Sequence, residues 1–129
     1  MIVKVTPDSQ KAESLKKMAK ITLERLNKTN LEEYPSNTLS DYYEIIHKLM
    51  DALAITKGVK IKGEGAHQEL IEYLFKQKII SEQSREFLQQ MREYRNRIAY
   101  EGFNINKNYI ILHKENIQRI IKDLFNLLK

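Results

Sequence analysis

The residues best suited to chemistry lie close together, between Arg92 and Gly102. Arg92, Asn96 and Tyr100 follow one another at steps of four, so on a helix they form a single ridge. Arg95 lies beside that ridge. Its guanidinium stays charged, and its planar fork matches the oxygens of a phosphate. We therefore take the end of this helix as the candidate site, where Arg95 is the residue suited to binding a phosphate.

Metal-independent cleavage of RNA drives the ribose 2′-hydroxyl onto the neighbouring phosphate. It needs a base, an acid and a cation that stabilises the charge growing on the phosphate, and Arg95 suits the last role. Tyr100 is poorly suited as the base, because an unperturbed pKa of ~10 leaves only about 0.1% phenolate at pH 7. It can donate a hydrogen bond, act as an acid or stack on a base.

The three histidines show no metal-ligand spacing, so no metal site is predicted. His47, His67 and His113 are each expected to be surface or core residues. His67 or His113 could nevertheless supply proton transfer if the fold brings one of them near Tyr100. The sequence contains no dinucleotide-binding fingerprint, and no cofactor is expected.

A glycine-rich stretch, Gly58–Gly65, holds three of the four glycines. A phosphate loop of the Walker type requires Gly-Lys-Ser/Thr at the opening of a helix, which is missing here. We therefore predict a flexible connection whose lysines could still attract phosphate without specificity. The candidate nucleic-acid contacts are Arg92, Asn96, Arg97, Lys57, Lys60 and Lys62.

A purely structural role for the arginines is the alternative interpretation. Arg92, Arg95 and Arg97 could be solvated or paired with carboxylates such as Glu93 and Glu101. Cations in the last turns of a helix also suit the helix dipole. Only the surroundings of these side chains in the fold can decide between pairing and phosphate binding.

The apolar periodicity predicts an all-α, up-and-down bundle of about five helices in a single domain covering residues 1–129. A minor β ribbon from residues 2–5 and 109–112 is a further expectation, since both runs are rich in β-branched residues. The predicted helices run from a Thr6 cap to about Asn30, from a Thr38 cap to Lys57, from Ala66 to Gln77, from a Ser81 cap to Tyr100 or Glu101, and from Lys114 to Lys129.

The composition indicates a single basic domain. The chain has 129 residues, a formal net charge of +5 and no cysteine, which excludes disulfides and thiolate chemistry. The excess of positive charge weakly favours anionic partners. No run of apolar residues is long enough to cross a membrane, and we expect a cytoplasmic protein.

The run Tyr94–Gly102 resembles the signature of the HEPN family of all-helical domains, which bind or cleave RNA. The family pattern is an arginine, often followed by asparagine, then three residues and a histidine. Arg95 and Asn96 match, while Tyr100 stands at the histidine position. The resemblance therefore implies that Arg95 and Tyr100 are the catalytic positions. In the toxin branch similar to HepT proteins a tyrosine follows two residues later, where this chain has Gly102. The replacement of the histidine argues against full ribonuclease activity.

The resemblance implies two alternative functions. The first is an RNA-binding homodimer, formed through helices two and four, that is a weak or degenerate metal-independent endoribonuclease of toxin–antitoxin type. The second is a non-catalytic interaction module that dimerises and binds a protein partner such as a minimal nucleotidyltransferase.

Overall fold

The computed structural model describes residues 1–129 and contains five helices and one two-stranded sheet. The elements are β1 (Ile2–Lys4), α1 (Ser9–Asn27), α2 (Pro35–Thr56), β2 (Val59–Ile61), α3 (Ala66–Lys76), α4 (Glu82–Glu101) and α5 (Lys107–Leu127). The predicted all-α bundle of five helices is confirmed. None of these helices combines the length and the apolar character that crossing a bilayer demands.

The bundle is built around α2. Of its 22 residues, 13 are buried, and it packs against α1, α3, α4 and α5. A helix that is apolar around most of its circumference must lie inside the domain, because each of its faces needs an apolar neighbour. Full burial of one such side chain, for example Ile46 or Leu49, contributes about 1.5–3 kcal/mol to folding. This central helix is the fixed reference against which the other four are placed.

Helix α4 begins and ends where its capping residues predict. The Ser84 amide donates a 3.1 Å hydrogen bond to Ser81 Oγ at the start. Gly102 ends the helix with a φ of 67°, a left-handed conformation that costs glycine little. Leu88 and Met91 are fully buried and hold the helix on the core. The ridge from Arg92 to Tyr100 therefore lies on a rigid element.

The β ribbon exists, but its predicted second strand is wrong. β1 pairs antiparallel with β2, with Val3 opposite Lys60. Residues 109–112 instead lie in α5, which begins at Lys107 rather than Lys114. The Asn106 side chain accepts a 2.9 Å hydrogen bond from the Asn108 amide and starts the helix there, so capping outweighs the β propensity of the run.

The junction of β1 and β2 depends on Gly58. This glycine has a φ of 72°, and a Cβ added to it would lie 2.8 Å from the Val5 carbonyl oxygen. The Val5 amide donates a 2.9 Å hydrogen bond to the Gly58 carbonyl. The stretch predicted to be a flexible connection therefore contains a strand that fixes its first half.

Two other helix starts differ from the prediction. The first helix is capped by Asp8, which accepts a 2.9 Å hydrogen bond from the Lys11 amide, and not by Thr6. The second starts at Pro35, three residues before the predicted Thr38 cap. The Thr38 hydroxyl instead donates a 2.7 Å hydrogen bond to the Leu31 carbonyl.

Candidate nucleic-acid interface

An open cleft of about 510 Å³ lies between the last turns of α4 and the loop that leads into α3. Arg92, Arg95, Asn96 and Tyr100 line one side. The opposite side is formed by Gly63, Glu64, Gly65, Ala66, His67 and Gln68. Four of the predicted site residues thus lie in one concave surface, and Glu64 is the only carboxylate in its lining.

The loop side of the cleft presents the start of a helix. Gly65 precedes α3 in a left-handed conformation, with a φ of 74°, and no side chain caps the helix at this position. The first residues of α3 line the cleft. Because the N-terminal end of a helix carries a partial positive charge, this side adds to the attraction for anions that α4 provides.

Arg95 has no carboxylate within 4.0 Å, so its charge is not neutralised by the protein. The Nη2 atom lies 3.3 Å from Nδ1 of His67, and the guanidinium lies 5.2 Å from the centre of the Tyr43 ring. A guanidinium can only donate hydrogen bonds, so Nδ1 of His67 is the acceptor. Pairing with Glu93 or Glu101 therefore does not apply to Arg95.

Arg92 is more constrained. Its Nε atom donates a 2.8 Å hydrogen bond to the Gln89 side chain, and its Nη2 atom lies 3.8 Å from a Glu93 oxygen. The interpretation that the arginines pair with carboxylates therefore applies to Arg92, although its contact with Glu93 is long. Its remaining guanidinium N–H groups stay available on the cleft side.

Two histidines lie next to Arg95. His47 from α2 and His67 from α3 stack with their ring centres 3.9 Å apart. Burial, reinforced by the nearby cations, lowers the pKa of His47 to about 4. Burial and the same kind of charge repulsion, from His47 and Arg95, lower the pKa of His67 to about 4. Both rings are therefore neutral at pH 7.

His67 is the histidine that the fold brings to the cleft. His113 lies elsewhere, with its ring centre 4.4 Å from that of Tyr109 and 5.4 Å from that of Phe87. No spacing in the sequence signals the position of His67, because its contacts with Arg95 and Tyr43 join three different helices. No three histidine, aspartate or glutamate side chains come close enough together to hold a metal ion.

The remaining predicted contacts are divided between the cleft and other surfaces. Tyr100 lines the cleft and is 79% exposed. Arg97 points elsewhere, with its guanidinium 4.0 Å from the centre of the Phe103 ring. Lys57, Lys60 and Lys62 do not line the cleft, although Lys60 lines a smaller cavity beside it.

The comparison with protein families gives one match. A family model described as HEPN domain matches residues 12–129. Neither the curated proteins nor the solved structures include a significant match. HEPN domains in general have RNA-binding or nuclease-like functions and often dimerise. The match covers nearly the whole chain and all five helices except the first residues of α1, so the chain belongs to the HEPN domain family.

Proposed function

We propose that the protein binds RNA in the cleft between α4 and the start of α3. The observation that carries this proposal is the position of Arg95, a half-buried cation that faces the cleft with no carboxylate partner. A buried charge normally has a partner. In RNA the phosphate supplies that partner, and the guanidinium fork binds two of its oxygens.

The other cleft residues suit different parts of an RNA strand. Arg92 adds a second cation, and the Asn96 amide can donate to phosphate or ribose oxygens. Tyr100 is highly exposed and offers an aromatic face on which an unpaired base can stack. The first residues of α3 add a helix dipole that favours anions. Together these groups favour a single strand over a closed duplex.

Slow cleavage of the bound strand is the second part of the proposal. Arg95 would stabilise the charge that develops on the phosphate as the 2′-hydroxyl attacks. The 2′-hydroxyl would lose its proton to water as it bonds to phosphorus, and Tyr100 would donate a proton to the 5′-oxygen as its bond to phosphorus breaks. Because the pKa of His67 is lowered to about 4, that ring is a weak base and the reaction would be slow. A toxin of a toxin–antitoxin pair is the biological setting that the family resemblance favours.

A homodimer would complete the site by placing two clefts side by side. Only Asn37, Glu44 and Thr56 of α2 are exposed, so most of the surface of this helix is already covered inside the bundle. We therefore assign the contact between the two copies mainly to α4. Sedimentation equilibrium of the purified protein measures this directly, and a monomer at all concentrations would contradict the dimer.

The alternative function, a non-catalytic interaction module, draws support from another surface. Leu112 is 76% exposed and Ile111 is half exposed in the first turns of α5. Leu112 lines a shallow hollow that shares no residue with the cleft. A protein partner, such as a minimal nucleotidyltransferase, could bind there without using Arg95.

Fluorescence anisotropy with a labelled single-stranded RNA, in the presence of a chelator, tests RNA binding. Arg95→Ala should weaken binding roughly tenfold, because a hydrogen bond to a charged group is lost. The slope of log affinity against log salt concentration should also become shallower by about 1, because one phosphate contact is lost. Arg119→Ala is the matched control, since Arg119 lies on α5 and pairs with Asp123 at 3.1 Å. Equal effects of the two variants would contradict the proposal.

A further inference from the structure

A second cavity, of about 260 Å³, adjoins the cleft. The two share Ala66 and His67, so His67 stands at the boundary between them. The cavity lies between α1, α2, β2 and the start of α3. An RNA strand whose phosphate binds Arg95 could place a neighbouring base in this cavity.

The chemical character of this cavity differs from that of the cleft. The apolar residues Leu15, Ile55 and Leu70 form part of its wall, together with the ring of His47. The cleft, by contrast, has only two hydrophobic residues in its lining, Ala66 and Tyr100. An apolar wall with an aromatic ring suits the flat, weakly hydrated surface of a nucleobase better than it suits a phosphate.

Asp51 supplies the polar recognition group. Its carboxylate accepts no hydrogen bond from the chain, and its closest basic partner is His47 Nδ1, at 3.5 Å. Burial raises the pKa of Asp51, and the charges of His67, Lys11 and Lys60 oppose that rise in part. A carboxylate is an acceptor only, so the group that pairs with it must donate.

We propose that this cavity holds an unpaired base of the bound RNA, and that Asp51 selects a base that carries an amino group. This inference rests on the proposed binding of RNA in the cleft and adds a base subsite to it. Cytosine presents an amino group where uracil presents a carbonyl oxygen, which would face the carboxylate unfavourably. The site should therefore prefer cytosine to uracil, two bases of nearly equal size.

Binding of short oligocytidylate and oligouridylate to the whole protein tests the subsite. The wild-type protein should bind oligocytidylate roughly tenfold more tightly. Asp51→Asn should abolish the preference, because the carboxamide can both donate and accept, while binding of oligouridylate should stay at least as strong. Asp123→Asn is the control, since this surface aspartate is matched in chemistry and lies on α5. Thermal unfolding verifies that each variant is folded.

A second variant tests the cavity without changing any charge. Leu15→Phe enlarges a wall residue and should reduce both the affinity for oligocytidylate and the preference. Cytidine monophosphate distinguishes a strand from a free nucleotide: binding as tight as that of the oligonucleotide would overturn the assignment to RNA.

The outcomes separate this inference from the function on which it rests. If the wild-type protein binds oligoribonucleotides through Arg95 but Asp51→Asn keeps the wild-type preference, the base subsite alone is overturned. If no RNA binds, or binding does not depend on Arg95, the proposed function fails and the subsite fails with it.

Discussion

Two arginines of α4 have opposite surroundings. Arg85, in the first half of the helix, lies 4.7 Å from the centre of the Phe75 ring and has the carboxylates of Glu72, Glu82 and Glu86 within 3.5–3.9 Å. Arg95, in the second half, lies 5.2 Å from the centre of the Tyr43 ring and has no carboxylate within 4.0 Å. Both guanidinium groups use an aromatic ring for support.

The difference lies in where each positive charge is compensated. The carboxylates of the protein itself compensate Arg85, which ties α3 to α4. Arg95 has no such carboxylate, and the neutral His67 beside it does not cancel its charge. The same residue type on the same helix is thus paired at one end and unpaired at the other, which is why we propose a binding role for Arg95 alone.

Introducing a histidine at position 100 should have the largest effect. Tyr100→His would place a group with an ordinary pKa near 6.5 in the same cleft as Arg95, so RNA cleavage in chelator should rise by about 100-fold. Arg95→Ala in the same background should abolish the gain, whereas Arg85→Ala should not. No increase in cleavage of a labelled RNA would show that the site lacks more than one residue.

Removing both cleft arginines should affect RNA binding almost as strongly. The double variant Arg92→Ala/Arg95→Ala should lower the affinity by roughly 100-fold, since two charge-assisted contacts are lost. Arg85→Ala should leave the affinity unchanged. Titrations at several salt concentrations measure both; a drop caused by Arg85→Ala would mean that net charge, and not the cleft, determines binding.

For stability, the Arg85 variant should be affected more than the Arg95 variant, which is the reverse of their order in RNA binding. Arg85→Ala should lower the free energy of unfolding by about 1 kcal/mol, because three carboxylates lose their cation and Phe75 loses its cover. The effect stays small, since Arg85 Nε is buried without an acceptor. Arg95→Ala should lower the free energy of unfolding by less than Arg85→Ala does. Urea denaturation compares the two, and a larger loss for Arg95→Ala would make its role structural.

The histidine pKa values provide the smallest and most local test. Arg95 is one cause of the lowered pKa of His47 and His67, so Arg95→Ala should raise both pKa values modestly, and burial should keep them below the ordinary 6.5. Arg85→Ala should change neither. Proton NMR titration of the imidazoles measures these values, and unchanged values in Arg95→Ala would place its charge farther from the rings.

The same pKa values determine the direction of the pH dependence of stability. A folded-state pKa of about 4, below the ordinary 6.5, means that the unfolded chain binds protons first as the pH falls. Stability contributed by His47 and His67 is present above pH 6.5 and is lost between about pH 6.5 and 4. His47→Asn and His67→Asn should each flatten this dependence in urea denaturation series.

The part of the site that lies on one helix could be predicted from the sequence. Arg92, Asn96 and Tyr100 share a ridge because helical periodicity is local, and Ser81 and Gly102 mark the ends of that helix. The predicted five-helix bundle follows from the same periodicity. Spacing alone could not show that Arg97 lies over the Phe103 ring and outside the lining of the cleft, and its contact with nucleic acid stays a prediction.

The contacts between helices could not be predicted. Tyr43 and His67 reach Arg95 from α2 and α3, across sequence separations that periodicity does not describe. The run at residues 109–112 shows the opposite limit, because its β-branched residues indicated a strand while the Asn106 cap directs a helix.

The ribbon has a practical consequence for work on this protein. The family match starts at residue 12, so β1 lies outside it, although β1 pairs with the strand that leads into the loop beside the cleft. In a shortened protein that starts at the matched region, the edge of β2 would have no pairing partner. The loop with Gly63 and Gly65 that follows β2 would then lose its anchor. Binding assays on such a truncation would measure a cleft whose loop is no longer held in place. The unpaired edge of β2 would also promote aggregation.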